Sequence, residues 1–223
     1  MILYPILLDL KGELCVIVGG GDVARRKVEH LLEAGARVRV VAPQACTAIR
    51  KSAKAGDLEL RRRKYDCDQL DGGARLVFGC TDDARVNAAV VADARERKIP
   101  ANRIDSPAGG DFHVPSMVRR ESLLLTVSTG GKAPALSREL CHRLEQQFGP
   151  AWGSFTNVLG RLREGWKKKG ENAKIHGRML EIIGSDTFEV LQSAGDQAAT
   201  KHARGIVRRL EAEPKAKASS AKR

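Results

Sequence analysis

A glycine-rich turn between an apolar strand and an amphipathic helix is the feature that most constrains the fold of this chain. The segment LCVIVGGGDVARRKVEHLLEAG, residues 14–35, combines a buried-strand pattern, three consecutive glycines and helical spacing of apolar residues. Gly19, Gly21 and Ala24 satisfy the pattern G-x-G-x-x-A, which allows a tight turn, close approach of backbone to phosphate, and close packing of helix on strand. The pattern predicts a βαβ unit whose helix N-terminus faces a dinucleotide pyrophosphate.

The end of the next strand bears on the choice of dinucleotide. An Asp or Glu about 20 residues after the glycines commonly binds the ribose hydroxyls of NAD, and an Arg nearby accommodates the 2′-phosphate of NADP. This chain has Val-Ala-Pro-Gln at positions 41–44 instead. Backbone groups must therefore hold the ribose, and spacing alone leaves NAD and NADP open. The predicted cofactor-binding residues are Gly19, Gly20, Gly21, Asp22, Val23, Ala24, Pro43, Gln44 and Thr81.

Strands and helices alternate through the first half of the chain. The sequence pattern predicts strands over 14–18, 37–41, 58–62, 75–79 and 99–104, with helices over 22–34, 44–55 and 83–97. Strands separated by helices pair in parallel through right-handed crossovers. The predicted fold class is therefore α/β, with a doubly wound parallel sheet.

The alternation of strands and helices stops after residue 104. The stretch DSPAGGDFHVPS reads as a long loop, and it is followed by an apolar strand over 122–128 and a helix over 135–147. From Pro150 onward the pattern is helical. The predicted domains are a Rossmann-like domain at 1–113, a small strand-and-helix region at 114–148, a helical domain at 149–212 and a disordered basic tail at 213–223.

Composition limits the partners and the compartment. The 39 Lys and Arg residues exceed the 27 Asp and Glu residues, so a formal charge of +12 predicts an anionic partner. An aromatic content of only 4% and the lack of a recognition motif argue against nucleic acid, and no apolar run is long enough for a membrane span. Five cysteines without a C-x-x-C pair indicate neither a disulfide framework nor a zinc site. We therefore expect a cytoplasmic protein without a metal site of its own.

Several stretches carry a family resemblance that pattern reasoning does not supply. The segments YPILLDLKGELCVIVGGGDVARRKVEHLLEAGARVRVVAP, CTDDARVN, NRIDSPAGGDFHVPS and SLLLTVSTGGKAPALSREL stand in this order within about residues 3–147. Together they resemble the precorrin-2 dehydrogenase and sirohydrochlorin ferrochelatase family, the N-terminal module of siroheme synthases. The methyltransferase domain of the fused enzymes has no counterpart in the sequence, so we expect another protein to supply that reaction.

The resemblance implies a reaction, a cofactor and a quaternary structure. The reaction is NAD-dependent oxidation of precorrin-2 to sirohydrochlorin, and in bifunctional members Fe²⁺ is then inserted to give siroheme. The resemblance leaves open whether this chain inserts a metal, whether that metal is iron or cobalt, and whether the product feeds siroheme, cobalamin or heme. It also implies a homodimer formed through the region at 114–148. The tetrapyrrole substrate carries many carboxylates, in agreement with the basic charge.

The resemblance also assigns candidate residues around the substrate. The acid of the family falls on Asp105, at the carboxyl end of the fifth predicted strand, where ligands of open α/β sheets bind. A carboxylate there could accept the proton released during oxidation, while the alternative is that it caps a turn with Ser106. The substrate-binding candidates are His113, Arg119, Arg120, Ser128, Thr129, Gly130 and Lys132.

Two of these interpretations have structural alternatives. Thr81 could lie along the cofactor or belong to a helix N-terminus. The glycine-rich turn at 128–134 could bind a carboxylate through backbone N–H groups or simply join a strand to a helix. Thr129 stands where the fused synthases carry a phosphorylated serine, so regulation by phosphate is not expected. A second class of function, an NAD(P)-sensing regulatory module without catalysis, shares the glycine turn but gives no reason for the DSPAGGDFHVPS segment.

Overall fold

The computed structural model describes residues 3–212, apart from the side chain of Pro107, and the predicted tail at 213–223 lies outside this range. The described chain divides into two compact units, one of residues 3–114 with 130–132 and the other of 115–129 with 133–212. The strands are β1 Leu14–Val18, β2 Arg37–Val41, β3 Leu58–Arg61, β4 Ala74–Gly79, β5 Ala101–Arg103, β6 Ser116–Arg120 and β7 Leu123–Val127. The helices are α1 Asp22–Glu33, α2 Thr47–Ala55, α3 Ala84–Glu96, α4 Pro134–Gln147, α5 Ala151–Lys168, α6 Ile175–Ile183 and α7 Thr187–Ala212.

The first unit is a five-stranded parallel sheet with the strand order β3-β2-β1-β4-β5. All five residues of β1 are buried, as expected for a central parallel strand covered on both faces. One face packs against α1 and α2, and the other packs against α3. The predicted doubly wound α/β class is therefore confirmed. The strand order reverses between β1 and β4, which is the place where such sheets bind ligands.

The second unit combines a β-ribbon with helices. Strands β6 and β7 form a two-stranded antiparallel sheet, with Val118 opposite Leu125. Helices α5, α6 and α7 share an apolar core that contains Phe155, Val158 and Ile182. Helix α7 is kinked at Gly195, whose φ of 79° is a left-handed conformation that favours glycine.

The structure differs from the sequence-based prediction in three places. Helix α2 begins at Thr47 rather than at residue 44, because the N–H of Cys46 bonds the carbonyl of Gly20 and holds the intervening residues as a loop. Strand β6 begins at Ser116, the last residue of the predicted loop, and continues through residues with no predicted element, so the apolar strand β7 finds its hydrogen-bonding partner within the chain. The fifth strand is also shorter than predicted.

The two units divide the chain differently from the predicted domains. Residues 115–129 belong to the same compact unit as the helices, whereas the sequence predicts separate regions at 114–148 and 149–212. Dimerisation through 114–148 stays a prediction. Within residues 3–212, no helix combines the length and the apolar character that a membrane span requires.

Candidate dinucleotide and catalytic site

Two of the three consecutive glycines are required by backbone packing. A Cβ on Gly19 would stand 2.3 Å from the carbonyl oxygen of Cys80, and Gly19 has a φ of +127°. A Cβ on Gly20 would stand 2.2 Å from the carbonyl oxygen of Gln44. These glycines therefore let the loops after β4 and β2 approach the turn after β1. Ala24 is fully buried beneath the turn, against the sheet.

Gly21, in contrast to Gly19 and Gly20, has open space around it. It is the N-cap of α1, and a Cβ placed there would meet nothing within 4 Å. No side chain caps this end of α1, and the first helical hydrogen bond runs from the N–H of Arg25 to the carbonyl of Gly21. The first N–H groups of a helix have no intrahelical partner and carry the positive end of the helix dipole. This open N-terminus suits a pyrophosphate, whose oxygens accept hydrogen bonds from backbone N–H groups.

A cleft of about 1090 Å³ extends from this turn along the carboxyl ends of β1, β2 and β4. The cofactor-binding candidates around it are Gly19, Gly20, Gly21, Asp22, Val23, Pro43, Gln44 and Thr81. Ala24 is the one residue of that predicted set that does not line the cleft. The structure thus brings the predicted residues together around one cavity, although their contact with a cofactor stays a prediction.

The part of the cleft where the ribose is expected is lined by residues from two segments of the chain, one after β2 and one after β3. In the described lining, the residues directly after β2 offer Pro43 and Gln44 and no carboxylate. Lys64 and Tyr65, from the segment after β3, line the same cleft. The hydroxyl of Tyr65 donates to Asp93 over 2.9 Å, so its ring is held in place. The N-terminus of α1, where Gly21 has no side-chain cap, fits a dinucleotide. The lining of the cleft is compatible with recognition of the ribose by backbone groups.

Thr81 lies on the loop that leads from β4 to α3, and its interactions serve the loop itself. Its Oγ1 is 2.8 Å from Oδ1 of Asn87 and 3.0 Å from the carbonyl oxygen of Asp83, and either oxygen can accept its proton. The N-cap of α3 is Asp83, whose carboxylate accepts from the N–H of Arg85 over 2.8 Å. Thr81 therefore both lines the cleft and fixes the loop, while the capping role belongs to Asp83.

Asp105 lies two residues beyond β5 and forms an ion pair with Arg103. Nε of Arg103 donates to Oδ1 over 3.0 Å, and Nη2 donates to Oδ2 over 2.8 Å. The side-chain amide of Asn87 donates to Oδ1 over 2.9 Å. The Arg103 hydrogen bonds, with help from Asn87, lower the pKa of Asp105 below its ordinary value. The carboxylate is therefore ionised at neutral pH, which is the form that a proton acceptor requires, but its low pKa makes it a weak base.

Asp105 is adjacent to the cleft without forming its wall. Its neighbour Ile104 lines the cleft, and its partner Asn87 holds Thr81, which also lines it. Arg103 engages both carboxylate oxygens, and the alternative of a turn capped with Ser106 stays open beside this ion pair. A catalytic role for Asp105 stays a prediction.

The substrate-binding candidates are divided between the two units. His113, Gly130 and Lys132 belong to the first unit, whereas Arg119, Arg120, Ser128 and Thr129 belong to the second. Among the residues that the structure describes, the lining of the dinucleotide cleft includes none of these seven. Their roles toward a substrate stay predictions.

Two of the seven have clear structural roles within the second unit. The guanidinium of Arg120 donates to the carbonyl oxygen of Phe148 over 2.9 Å, so it caps the C-terminal end of α4. The hydroxyl of Thr129 accepts from the N–H of Ala133 over 3.1 Å at the start of the same helix. Arg119 and Lys132 are exposed. An exposed cation is available to a carboxylate, while Arg120 is already engaged.

Asn87 is the residue of this site that sequence reasoning missed. It is completely buried and bonds both the Thr81 loop and Asp105. A signal existed, because Asn87 stands at the helical spacing of the buried residues Val90, Val91 and Ala94 of α3. A polar amide within such an apolar stripe indicates specific hydrogen-bonding partners, since burying an unpaired amide is costly.

Comparisons with known proteins agree with this arrangement. A family described as "Putative NAD(P)-binding" matches residues 6–116. The siroheme synthase of Methylobacillus flagellatus is 37% identical over 203 residues, which cover 89% of this chain and 42% of that protein. The siroheme synthase of Photorhabdus laumondii is 38% identical over 191 residues, covering 86% of this chain and 40% of that protein. This chain thus spans about two fifths of the length of these curated relatives.

A solved structure matches over nearly the whole chain. "SirC, precorrin-2 dehydrogenase" superposes with a TM-score of 0.72 at 25% sequence identity, over 91% of this chain and 100% of that one. The helical region is therefore matched together with the sheet. The glycine turn, the strand order and these likenesses converge: the chain belongs to the family of siroheme synthase N-terminal modules.

Proposed function

We propose that this chain catalyses the NAD-dependent oxidation of precorrin-2 to sirohydrochlorin. The observation that carries the proposal is the cleft at the switch point of the sheet, which ends beside an ionised carboxylate in a fold that matches a precorrin-2 dehydrogenase along its full length. Because the siroheme synthase relatives are more than twice as long as the matched region, their whole activity is not transferred to this chain.

Binding of NAD falls to the backbone around the glycine turn. The first N–H groups of α1 would hold the pyrophosphate, and residues 41–44 would face the ribose through main-chain groups. Bound NAD supplies an acceptor for the hydride that leaves the tetrapyrrole. Gly21 lines the cleft at the N-terminus of α1 and brings no side chain to it.

Asp105 is proposed to accept the proton that the substrate releases during oxidation. Oxidation removes one hydride and one proton from the substrate, so an ionised carboxylate near the hydride acceptor can take the proton. The ion pair to Arg103 keeps Asp105 ionised, and the same pair fixes the direction of its oxygens. A base with a lowered pKa acts best on an acidic C–H or N–H, and it also stabilises positive charge as the hydride departs.

The excess of positive charge is proposed to attract the carboxylate-rich substrate. Arg119 and Lys132 are exposed cations, and the net charge of +12 raises the rate of encounter with an anion. We also propose a homodimer in the cytoplasm, with the region at 114–148 at the interface. Insertion of Fe²⁺ or Co²⁺ into the product is a second step of the same proposal, in which the metal is a substrate.

The test is anaerobic incubation of the purified protein with enzymatically made precorrin-2 and either NAD or NADP, followed by absorption spectroscopy. We expect sirohydrochlorin to form with NAD, and Asp105→Ala to lower the rate by about 100-fold or more. Addition of Fe²⁺ or Co²⁺ then tests metal insertion against a control without enzyme. Dinucleotide binding without oxidation would reject the proposal and favour the sensing module, and an Asp105→Ala protein with the wild-type rate would reject the role of that carboxylate.

A further inference from the structure

Asn87 is buried where α3 passes closest to the end of β4. It is 0% exposed, and a Cβ on Gly79 would stand 3.3 Å from the Cα of Asn87. Bulk water does not reach this amide, so its hydrogen-bonding groups need partners within the fold.

Three hydrogen bonds hold the amide, and the Thr81 hydroxyl lies within reach of the fourth position. Oδ1 accepts from the N–H of Thr81 over 3.0 Å and lies 2.8 Å from the Thr81 hydroxyl. Nδ2 donates to the carbonyl oxygen of Thr81 over 2.9 Å and to Oδ1 of Asp105 over 2.9 Å. The N–H of Thr81 fixes which end of the amide is the oxygen, because a flipped amide would set two donors against each other.

One rigid side chain thus links two parts of the site that come from different strands. Thr81 lines the dinucleotide cleft after β4, and Asp105 follows β5. The planar amide sets the relative position of the two. Neither contact requires Asn87 to touch a cofactor or a substrate.

We propose that Asn87 is a positioning residue that couples the dinucleotide-binding loop at Thr81 to the carboxylate of Asp105. The proposal depends on the proposed function in one respect, namely that Asp105 acts on a substrate. Its physical content is that the amide stabilises the ionised carboxylate and holds the loop against the cleft at the same time.

Loss of the Asn87 amide should change the pKa of Asp105 and the affinity for dinucleotide, each in a definite direction. Asn87 donates to the charged form of Asp105, so its removal raises the pKa of that carboxyl, while the Arg103 ion pair still lowers it. Within the described residues, Arg103 is the one cation at ion-pair distance from Asp105, and on the neighbouring first turn of α3 Asp83 pairs with Arg85. At the other end, the Thr81 loop loses its anchor, which weakens the binding of dinucleotide.

The experiment compares Asn87→Ser with Asn102→Ser. Asn102 is a matched control because it is 8% exposed and bonds a loop carbonyl, that of Phe112 over 2.8 Å, but touches neither Thr81 nor Asp105. Three quantities are measured: the dissociation constant for NAD, the titration midpoint of the Asp105 carboxyl carbon by NMR, and the pH profile of oxidation. Both variants lose stability, so stability alone does not separate them.

For Asn87→Ser we expect a roughly 3- to 10-fold weaker affinity for NAD, and a rise of about one pH unit in the Asp105 midpoint and in the acid limb of the pH profile. Asn102→Ser should leave both pH midpoints unchanged. Equal midpoints in wild type and Asn87→Ser, or equal shifts in the two variants, would overturn the coupling.

A measurement on the wild type keeps the proposal testable if Asn87→Ser does not fold. The side-chain N–H₂ resonances of Asn87 should follow the titration of Asp105 and should also shift on addition of NAD. If they respond to neither, the proposal is rejected. If the wild type oxidises no precorrin-2 but these resonances respond as described, the proposed reaction fails while the coupling stands.

Discussion

Alanine substitutions at two adjacent glycines should have opposite consequences for folding and for cofactor binding. A Cβ on Gly20 would stand 2.2 Å from the carbonyl oxygen of Gln44 and 2.8 Å from the Cα of Ala45. Both are backbone atoms, so a backbone segment must move by about 1 Å. Overpacking of this kind costs about 2–3 kcal/mol, which lowers Tm by roughly 5–10 °C in a chain of this size.

Gly21→Ala meets no such obstacle. Nothing lies within 4 Å of the added methyl, and the extended backbone of Gly21, with φ −83° and ψ −169°, is open to alanine. Replacing glycine by alanine at an N-cap costs less than about 1 kcal/mol, so Tm should fall by only about 2–3 °C. Gly21 lines the cleft, however, and the added methyl should weaken NAD binding by tenfold or more, because it takes up room beside the N–H groups of the helix N-terminus that would hold the pyrophosphate.

Thermal unfolding by circular dichroism and NAD titration by calorimetry separate these effects. The expected pattern is a Gly20→Ala protein with a clearly lowered Tm, and a Gly21→Ala protein with a nearly wild-type Tm and weak NAD binding. A stable Gly21→Ala protein that binds NAD with wild-type affinity would refute the assignment of the open helix end to the pyrophosphate.

Three further changes follow from the described contacts. Arg103→Gln removes the ion pair that lowers the pKa of Asp105. In the wild type this pair stabilises the fold above the ordinary carboxyl pKa of about 4, and the stabilisation is lost as pH falls further, so the variant should be less stable than wild type at neutral pH and converge with it in acid, as urea titrations at several pH values would reveal. Burial raises the pKa of Cys80 to about 12, so iodoacetamide should modify the partly exposed Cys46 well before Cys80, and mass spectrometry reports the order. Arg178→Ala removes a buried guanidinium that pairs with two glutamates and lies 5.1 Å from a tryptophan ring centroid, and should destabilise the helical unit by about 2–3 kcal/mol in thermal unfolding.

The centre of the sheet could be predicted from local pattern. The predicted bounds of β1 and β2 agree with the structure: β1 is an unbroken apolar run, as expected of a buried parallel strand, and β2 is a run of valines interrupted by Arg39. The start of α2 could not be predicted in this way. It depends on the hydrogen bond between Cys46 and Gly20, which are far apart in sequence.

The ribbon and the site depended on contacts that local pattern does not encode. Strand β6 ends in two arginines and follows a glycine-rich loop, so its pairing with β7 appears only in three dimensions. The family resemblance, rather than spacing, points to Asp105. Asn87 interrupts the buried stripe of α3, but a single polar residue in a helix gives no information about which loops it meets.

The measurement that tests the central claim most directly is the stoichiometry of anaerobic turnover with precorrin-2 and NAD. The account predicts one NADH formed for each sirohydrochlorin, with the rate strongly reduced in Gly21→Ala because the dinucleotide no longer reaches the end of α1. NAD that binds in the cleft without being reduced, or sirohydrochlorin that forms at the same rate without NAD, would contradict it.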